Sequence, residues 1–589
     1  MVSGPRRVAS AGYRRGAYII RGVHGESMDA AAGRERDRAA DPGPAAGRVA
    51  SRRLTLGALS ALLVLLALGA FVRVLGIGFG RPFAYHPDEG IIVGAAMDMV
   101  RDRDWNPHNF FYSSLMFDVQ AVVTGIVRYL GGGTLARDQG WLFGSEALPQ
   151  QFRYFAAGRA VVALLGILTI PVTFAVGARW YGIGAGLVAA AIVAVAPLHV
   201  ANSRFVTTDV PLTFLCALTL LASLEAARRR GDRWWVLAGV LAGLAISTKW
   251  NGAVVLVVPV VAYLSSATTV SDVKALLRRR TPYLILASAA LALVITTPAL
   301  LFDAAAVRDW LILQGELYAR GRANERSGSF EFHLRALVDG IGAVAFVLGL
   351  AGCLLIVIGR HRRELAIPAF VLAYLVVISI PATHYERNVL PIVPYLAIAA
   401  GLLVSRLVER VGQRFPRIGR IPGSWMAGAL AFAILAVGLA PGYAAAYADG
   451  RRLERPDTRT LARDWLLINV PRKSIVAREQ YTPQLTPDEY RLRNHDFLWQ
   501  RNWDWYHDVG VRYLVTSSLQ YARFHRNPDA PSQDAFYSEL FELPEVFRAD
   551  PGPDTPGPTI RIFELPPGGP LADGTSPLRR PNLARPAVQ

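Results

Sequence analysis

The sequence predicts an all-α polytopic membrane protein of about eleven transmembrane helices, followed by a small C-terminal α/β domain. Three observations lead there. Only 18% of the residues are charged and 52% are hydrophobic, whereas a soluble domain carries about 25% charged residues. Apolar runs recur from Leu54 to Tyr443, and each, at about 20 residues, can cross a hydrocarbon core of ~30 Å as a helix. The runs are continuous rather than alternating, which favours helices over barrel strands.

The spans fall near 54–76, 156–178, 183–200, 208–227, 234–248, 251–267, 282–301, 337–358, 365–381, 389–406 and 424–443. Positive charge fixes their direction. Arg52 and Arg53 precede the first span, and Arg228, Arg229, Arg230 and Arg233 separate the fourth from the fifth. Lys274, Arg278, Arg279 and Arg280 separate the sixth from the seventh, and Arg360, Arg362 and Arg363 follow the eighth. Arg406, Arg410, Arg414, Arg417 and Arg420 follow the tenth. Every second loop is therefore arginine-rich, and those loops share one side. The positive-inside rule makes that side cytoplasmic. An odd number of spans places the C-terminal domain outside, in a multi-pass protein of the plasma (inner) membrane. The net charge of +18 is accounted for by these loops, so it does not call for a nucleic-acid partner.

The termini and the long loop complete the layout. Residues 1–52 are rich in Arg, Ala and Gly without an apolar core, and read as a disordered basic cytoplasmic tail with Met28 as an alternative start. Residues 53–443 form the membrane domain. Within it, the first outer loop (77–155) is too long for a plain connector. Its stretches 90–100 and 115–130 read as helices lying in the interface, because counting the second as a span would put the arginine clusters outside. Residues 444–565 read as an extracytoplasmic α/β domain, with a helix from Thr458 to Asn469 and strands at Ser474–Arg478, Val511–Thr516 and Thr559–Leu565. The proline-rich end, 566–589, reads as disordered. Cys216 and Cys353 lie within apolar runs and read as small buried hydrophobes, without metal spacing. The Gly182-Ile183-Gly184-Ala185-Gly186 run opens a span and reads as close helix packing rather than a phosphate loop.

The outer loops hold the polar residues capable of chemistry. Asp88 and Glu89 follow Tyr85, His86 and Pro87 after the first span. One of these carboxylates serves as a general base on a hydroxyl, or both simply favour a helix N-terminus. Asp209 caps the fourth span, or is a second site carboxylate. Lys249, Arg204 and Arg387 stand on the outer side against the charge rule. Each either reaches for lipid headgroups or meets a bound phosphate. His333, His384 and Tyr385 are candidates for sugar or phosphate contact, though lone interfacial residues have the same look.

The order of these pieces resembles a known family. Tyr85-His86-Pro87-Asp88-Glu89 precedes an amphipathic segment and Asp104-Trp105-Asn106-Pro107. Ser203-Arg204-Phe205 leads into Thr207-Thr208-Asp209-Val210-Pro211-Leu212. Gly243 to Lys249 and Arg387-Asn388-Val389-Leu390-Pro391-Ile392-Val393-Pro394 follow. Over residues 54–443 the chain resembles the membrane glycosyltransferases of the GT-C fold, in the branch of protein O-mannosyltransferases and aminoarabinose–lipid A transferases. The resemblance implies a GT-C-like membrane domain and a polyprenyl-phosphate-linked sugar, mannose or similar, as donor. It also implies a hydroxyl acceptor on protein, glycan or glycolipid, and transfer with inversion. Asp88 matches the family's base, with Glu89 beside it. Tyr85, His86, Arg204, Asp209, Lys249, His333, His384, Tyr385 and Arg387 are the expected substrate-binding residues. No cofactor is certain, and a divalent metal is left open, since family members differ on it. The arginine- and alanine-rich composition suggests a bacterial chain. A lipid or polysaccharide transporter, or a non-catalytic assembly subunit, stands as the alternative. A transporter would want midplane charges, broken helices and internal repeats.

Overall fold

The computed structural model describes residues 55–133, 135, 149–229, 231–320, 329–359, 361–418 and 421–566. The segments expected to be disordered, 1–52 and all of 566–589 but Pro566, lie outside the described residues.

Helix α1 (Leu56–Val74) opens on Thr55, whose hydroxyl accepts from the Ala58 N–H at 3.2 Å, one of the amides a helix start leaves without a partner. Next come α2 (Pro87–Asp102) and α3 (Leu115–Gly131), over the two stretches expected to be helical in the first outer loop. Their surroundings differ. Ile92, Val93 and Ala96 of α2 are fully buried, so this helix belongs to the packed interior. α3 buries Met116, Phe117 and Ala121 but exposes Val122, Ile126, Tyr129 and Leu130, an apolar face suited to an interface.

Helices α4 (Phe152–Tyr181), α5 (Ile183–Val195), α6 (Pro197–Asn202), α7 (Asp209–Arg228) and α8 (Arg233–Thr248) follow. α4 and α5 touch through glycines. A Cβ on Gly186 would stand 2.7 Å from the Phe174 carbonyl oxygen, so the glycine run serves helix packing. The expected span 183–200 is not one helix. Pro197 has no N–H to donate to the Val193 carbonyl, and the helix breaks there. The guanidinium of Arg73, at the end of α1, fills the break. It donates to the carbonyls of Val193 and Ala194, both at 2.9 Å, and to that of Gly69 at 2.8 Å. It also meets His199 Nδ1 at 2.9 Å, and it is fully buried.

A 3-10 stretch (Trp250–Leu256) leads into α9 (Val257–Leu264), then α10 (Val270–Leu277), α11 (Arg280–Thr296), α12 (Ala299–Phe302) and α13 (Ala304–Arg320). Then come α14 (Ser329–Ile341), α15 (Ala343–Ile358), α16 (Ala366–Ile378) and α17 (Val393–Arg414). A two-stranded turn, β1 (Arg417–Ile418) and β2 (Ile421–Pro422), precedes α18 (Gly423–Leu453). The expected span 337–358 is also broken. α14 and α15 meet at 113° across Gly342, whose φ of +86° suits glycine alone. Ser329–Ile341 therefore turns away and takes His333 with it. In the interior, Tyr395 of α17 donates to the Cys216 carbonyl of α7 at 2.8 Å, and both cysteines are free and buried.

Among the described residues five helical runs are long and apolar enough to cross a membrane. They are α1, α4, α7, Glu386–Arg414 and the run opening with α18, with the bent α14–α15 pair a sixth. α5, α8, Trp250–Leu264 and α11 are apolar but shorter. The chain is a multi-pass membrane protein. Each of the eleven expected spans falls largely on helix, but length and hydropathy select only these few.

The tail holds α19 (Thr458–Asn469), β3 (Ile475–Glu479), β4 (Arg491–His495), α20 (Trp503–Asp508), β5 (Tyr513–Ser517), α21 (Ser518–Tyr521), α22 (Pro531–Leu540), β6 (Glu545–Ala549) and β7 (Ile560–Glu564). The sheet order is β4-β3-β5-β7-β6. β4, β3 and β5 are parallel, with Ala477 opposite both Arg493 and Leu514. β7 runs antiparallel to β5 and β6. Glu479, at the end of the central parallel strand, ties the domain together. Its carboxyl accepts from Tyr537 Oη at 2.7 Å, the Ser517 N–H at 2.9 Å and the Leu498 N–H at 3.3 Å, and from the Thr516 hydroxyl.

Burial pushes the Glu479 carboxyl up to about 7, against the pull of those donors. A carboxyl whose folded pKa lies above its unfolded value gives its full stabilisation at low pH. That contribution is lost as pH rises from about 4.5 through about 7. Thermal unfolding followed through the tail tryptophans should show this slope in the full chain. Glu479→Gln, whose amide mimics the protonated acid, should flatten it; an unchanged slope in the variant would assign the pH dependence to another group.

Candidate functional site

The site is built from the start of α2. Pro87 occupies the first helical position, where its missing N–H costs nothing. His86 is the N-cap, and its Nδ1 accepts from the Asp88 N–H at 3.3 Å. The His86 ring stacks on Phe205 at 4.4 Å. Asp88 and Glu89 therefore fall in the first turn, as expected of a helix start, but their side chains go to different places.

Glu89 points inward. Arg159 of α4 holds it with two bonds of 2.7 and 2.6 Å, and the Val206 N–H adds a third at 2.9 Å. Both charged groups are fully buried. Arg159 also donates to the carbonyls of Ile77 and Phe79 at 2.8 Å. Glu89 is thus saturated and closed to solvent, which fits a structural ion pair and not a group that exchanges protons with a substrate.

Asp88 meets a network that converges from distant loops. Its Oδ2 lies 2.9 Å from Arg387 Nη2, and Asp209 Oδ2 lies 3.4 Å from Arg387 Nε. Lys249, at the C-cap of α8, donates to Asp209 Oδ1 at 2.8 Å and to Asn388 Oδ1 at 3.2 Å. Two carboxylates and two cations thus alternate, Asp88–Arg387–Asp209–Lys249. Thr208 makes no side-chain cap bond, and Asp209 spends its oxygens on the two cations rather than on the start of α7. Arg387 also lies 4.7 Å over the ring of Tyr385. Tyr318 of α13 is next to Tyr385, with ring centroids 6.2 Å apart. Tyr112 and Tyr318 stand within electrostatic reach of Asp88, Arg387 and Asp209, and burial pushes both phenols above their usual range. They stay protonated, as hydrogen-bond donors beside the carboxylates.

Other expected residues lie elsewhere. Arg204 is fully buried and donates to Asp449 at 2.5 Å, Ala446 O at 2.7 Å and Val72 O at 2.8 Å. It joins α1 to α18. His333 and His384 form a separate cluster, with ring centroids 6.1 Å apart. His333 Nδ1 meets Ser379 at 3.2 Å, and His384 Nδ1 meets the Ala382 carbonyl at 2.9 Å. Tyr85 faces the tail. Arg459, fixed by Asp457, donates to the Tyr85 carbonyl at 2.9 Å and lies 4.3 Å over its ring. Gln484 donates to the Ala84 carbonyl at 3.1 Å. The tail thus grips the turn that leads into Asp88. Sequence reasoning missed Arg159, Tyr112, Tyr318, Asn388 and Arg459 as site or supporting residues. Arg159 alone had a legible signal, as a charge within an apolar run.

Among the described residues no group of three or more His, Cys, Asp or Glu side chains is placed to hold a metal ion. Asp88 and Asp209 share a guanidinium instead, so this cluster does not fit a metal.

The same fold is found in solved structures. The oligosaccharyltransferase of Archaeoglobus fulgidus in its apo form aligns with a TM-score of 0.54 at 13% identity, over 86% of this chain and 76% of that one. The same organism's AglB, in complex with an inhibitory peptide and a dolichol-phosphate, aligns with a TM-score of 0.53 at 14% identity, over 84% and 73%. ArnT from Cupriavidus metallidurans bound to undecaprenyl phosphate covers 88% of this chain and 98% of its own, at 17% identity and a TM-score of 0.48. Within the fold, residues 153–302 match the family described as dolichyl-phosphate-mannose-protein mannosyltransferase, so the resemblance read from the motifs is borne out. The matched stretch holds Arg159, Arg204, Asp209 and Lys249, while Asp88 and Arg387 lie outside it. No curated protein matches the sequence.

Proposed function

We propose that this chain is an inverting glycosyltransferase that moves a sugar, mannose or similar, from a polyprenyl-phosphate carrier to an acceptor hydroxyl on the outer face of the bacterial inner membrane. The observation that carries the reading is the convergence of Asp88, Asp209, Lys249 and Arg387. A lipid phosphate brings the negative charge that Lys249 and Arg387 can take in exchange for their present partners. AglB, of the same fold, is described with a dolichol-phosphate, a carrier of that chemical class.

Asp88 accepts the proton of the acceptor hydroxyl as its oxygen attacks the anomeric carbon. The bond from that carbon to the phosphate oxygen breaks, and the carrier phosphate leaves with the electron pair. Lys249 and Arg387 stabilise its charge. One displacement inverts the anomeric centre, without a glycosyl-enzyme intermediate. Tyr112, Tyr318 and Tyr385 are placed to line the sugar. An eleven-span topology, with the N-terminus cytoplasmic and the tail outside, is the one that would bring these groups to one membrane face. The break at Pro197 does not favour a transporter, because Arg73 already fills it.

The test supplies radiolabelled polyprenyl-phosphate-mannose, then other polyprenyl-phosphate sugars, to the protein in lipid, with a membrane extract as acceptor source. Transfer into a product of inverted anomeric configuration is expected. Absence of transfer from every donor, or retention of configuration, would sink the reading. Lys249→Met should lower kcat by roughly 10²-fold, as expected when one donor to a developing anion is removed. An effect on KM alone would make Lys249 a binding group only.

A further inference from the structure

The tail carries a second polar cluster that the transfer chemistry does not use. The chain leaves the central strand β3 for β4 on one side, then returns to β5 on the other. Parallel sheets bind ligands outside the carboxyl ends of their strands where the strand order reverses in this way. Here that place lies beyond Glu479 and Ser517. Glu479 itself is buried and saturated. The next residues outward are half-exposed and polar: Gln480 donates to Asp496 Oδ1 at 2.6 Å. Gln520 donates to the Asp496 carbonyl at 2.8 Å and to Gln480 at 3.4 Å. Gln520 is fully buried, and its carbonyl oxygen has no hydrogen-bond partner. His495 Nε2 and Trp499 Nε1 are likewise buried without one. Phe497, Trp499 and Phe524 form an aromatic wall beside them, with centroids 5.1–5.8 Å apart.

We infer that this cluster is a saccharide-binding subsite that holds the glycan of the acceptor. Buried polar atoms are almost always paired, so the unpartnered amide oxygen, indole N–H and imidazole nitrogen mark positions that a ligand can satisfy. They comprise both donors and acceptors, which suits hydroxyl groups, since each hydroxyl both gives and takes. A phosphate would want donors alone. Flat amides and a carboxylate match vicinal hydroxyls, and the aromatic wall matches the C–H face of a pyranose ring. Location supports the assignment. The strand that ends in Glu479 runs directly into the loop whose Gln484 holds the Ala84 carbonyl, four residues before Asp88. A glycan held here presents its free end towards the base. The inference rests on the transferase reading for its purpose, but not for its test.

The test titrates full-length protein in lipid nanodiscs with uncharged oligosaccharides of three to six sugars, covering gluco, manno, galacto and arabino series. Tryptophan fluorescence reports binding. Saturable binding of at least one series is expected, weakened tenfold or more by Trp499→Ala and by the half-exposed Gln480→Ala. Binding by none of the series overturns the inference, as does equal binding by both tail variants and the parent. Binding that survives while every sugar-transfer assay fails leaves the subsite standing and removes the transferase reading instead.

Discussion

Asp88→Asn is expected to lower sugar transfer by roughly 10²–10⁴-fold, the usual share of a general base, while the protein folds and melts like the parent. The side chain keeps its size and its place after His86, and a neutral amide can still accept from Arg387. What disappears is the ability to take a proton from the acceptor. Asp88 pairs with the Arg387 guanidinium at 2.9 Å. In the proposed mechanism the carrier phosphate engages Arg387 and frees Asp88 to meet the acceptor hydroxyl. Donor affinity should therefore change little in the variant, and the loss should fall on kcat. Transfer at the parental rate would remove Asp88 from the chemistry. Loss of donor binding with unaltered kcat would make it an architectural partner of Arg387.

Glu89→Gln should do the opposite, costing fold before chemistry. Glu89 and Arg159 are both fully buried and joined by two short bonds. Removing one partner leaves a cation without compensation in the interior, which costs about 3–5 kcal/mol. Thermal denaturation in detergent should show a large fall in midpoint and a lower yield of monodisperse protein. Adding Arg159→Met should restore part of it, because a neutral pair no longer strands a charge. A normal midpoint combined with lost transfer would return Glu89 to the catalytic machinery.

These two neighbours show where the sequence was legible and where it was not. Pro87, Asp88 and Glu89 announce a helix start, and α2 begins there. Adjacent residues on a helix point about 100° apart, so one carboxylate faces the site and the other the core. That division depends on Arg159, which lies 70 residues away. The outer cations that broke the charge rule were informative, since Lys249 and Arg387 do meet Asp209. Arg204 broke the same rule for another reason, its partner Asp449 lying in a helix 245 residues on. In the tail, β3, β5 and β7 were visible because their apolar residues are buried. β4 and β6 were missed because they form the sheet's edges and carry Arg, Asn, His and Glu, as edge strands often do. The breaks at Pro197 and Gly342 were hidden inside runs whose hydropathy continues across them.

Arg73 bears on the order in which the protein is assembled. It belongs to a span synthesised well before its partners, since the carbonyls that hold it are as many as 121 residues further on. Until α5 and α6 emerge, that charge has no protein partner outside its own helix, and its long side chain must reach the water beside the end of α1. Docking of α5 and α6 withdraws it into a dry interior. From then on, pulling α1 out would strand a cation and two carbonyls in hydrocarbon. Helix α1 is therefore held loosely until a partner arrives that translation delivers only after α4.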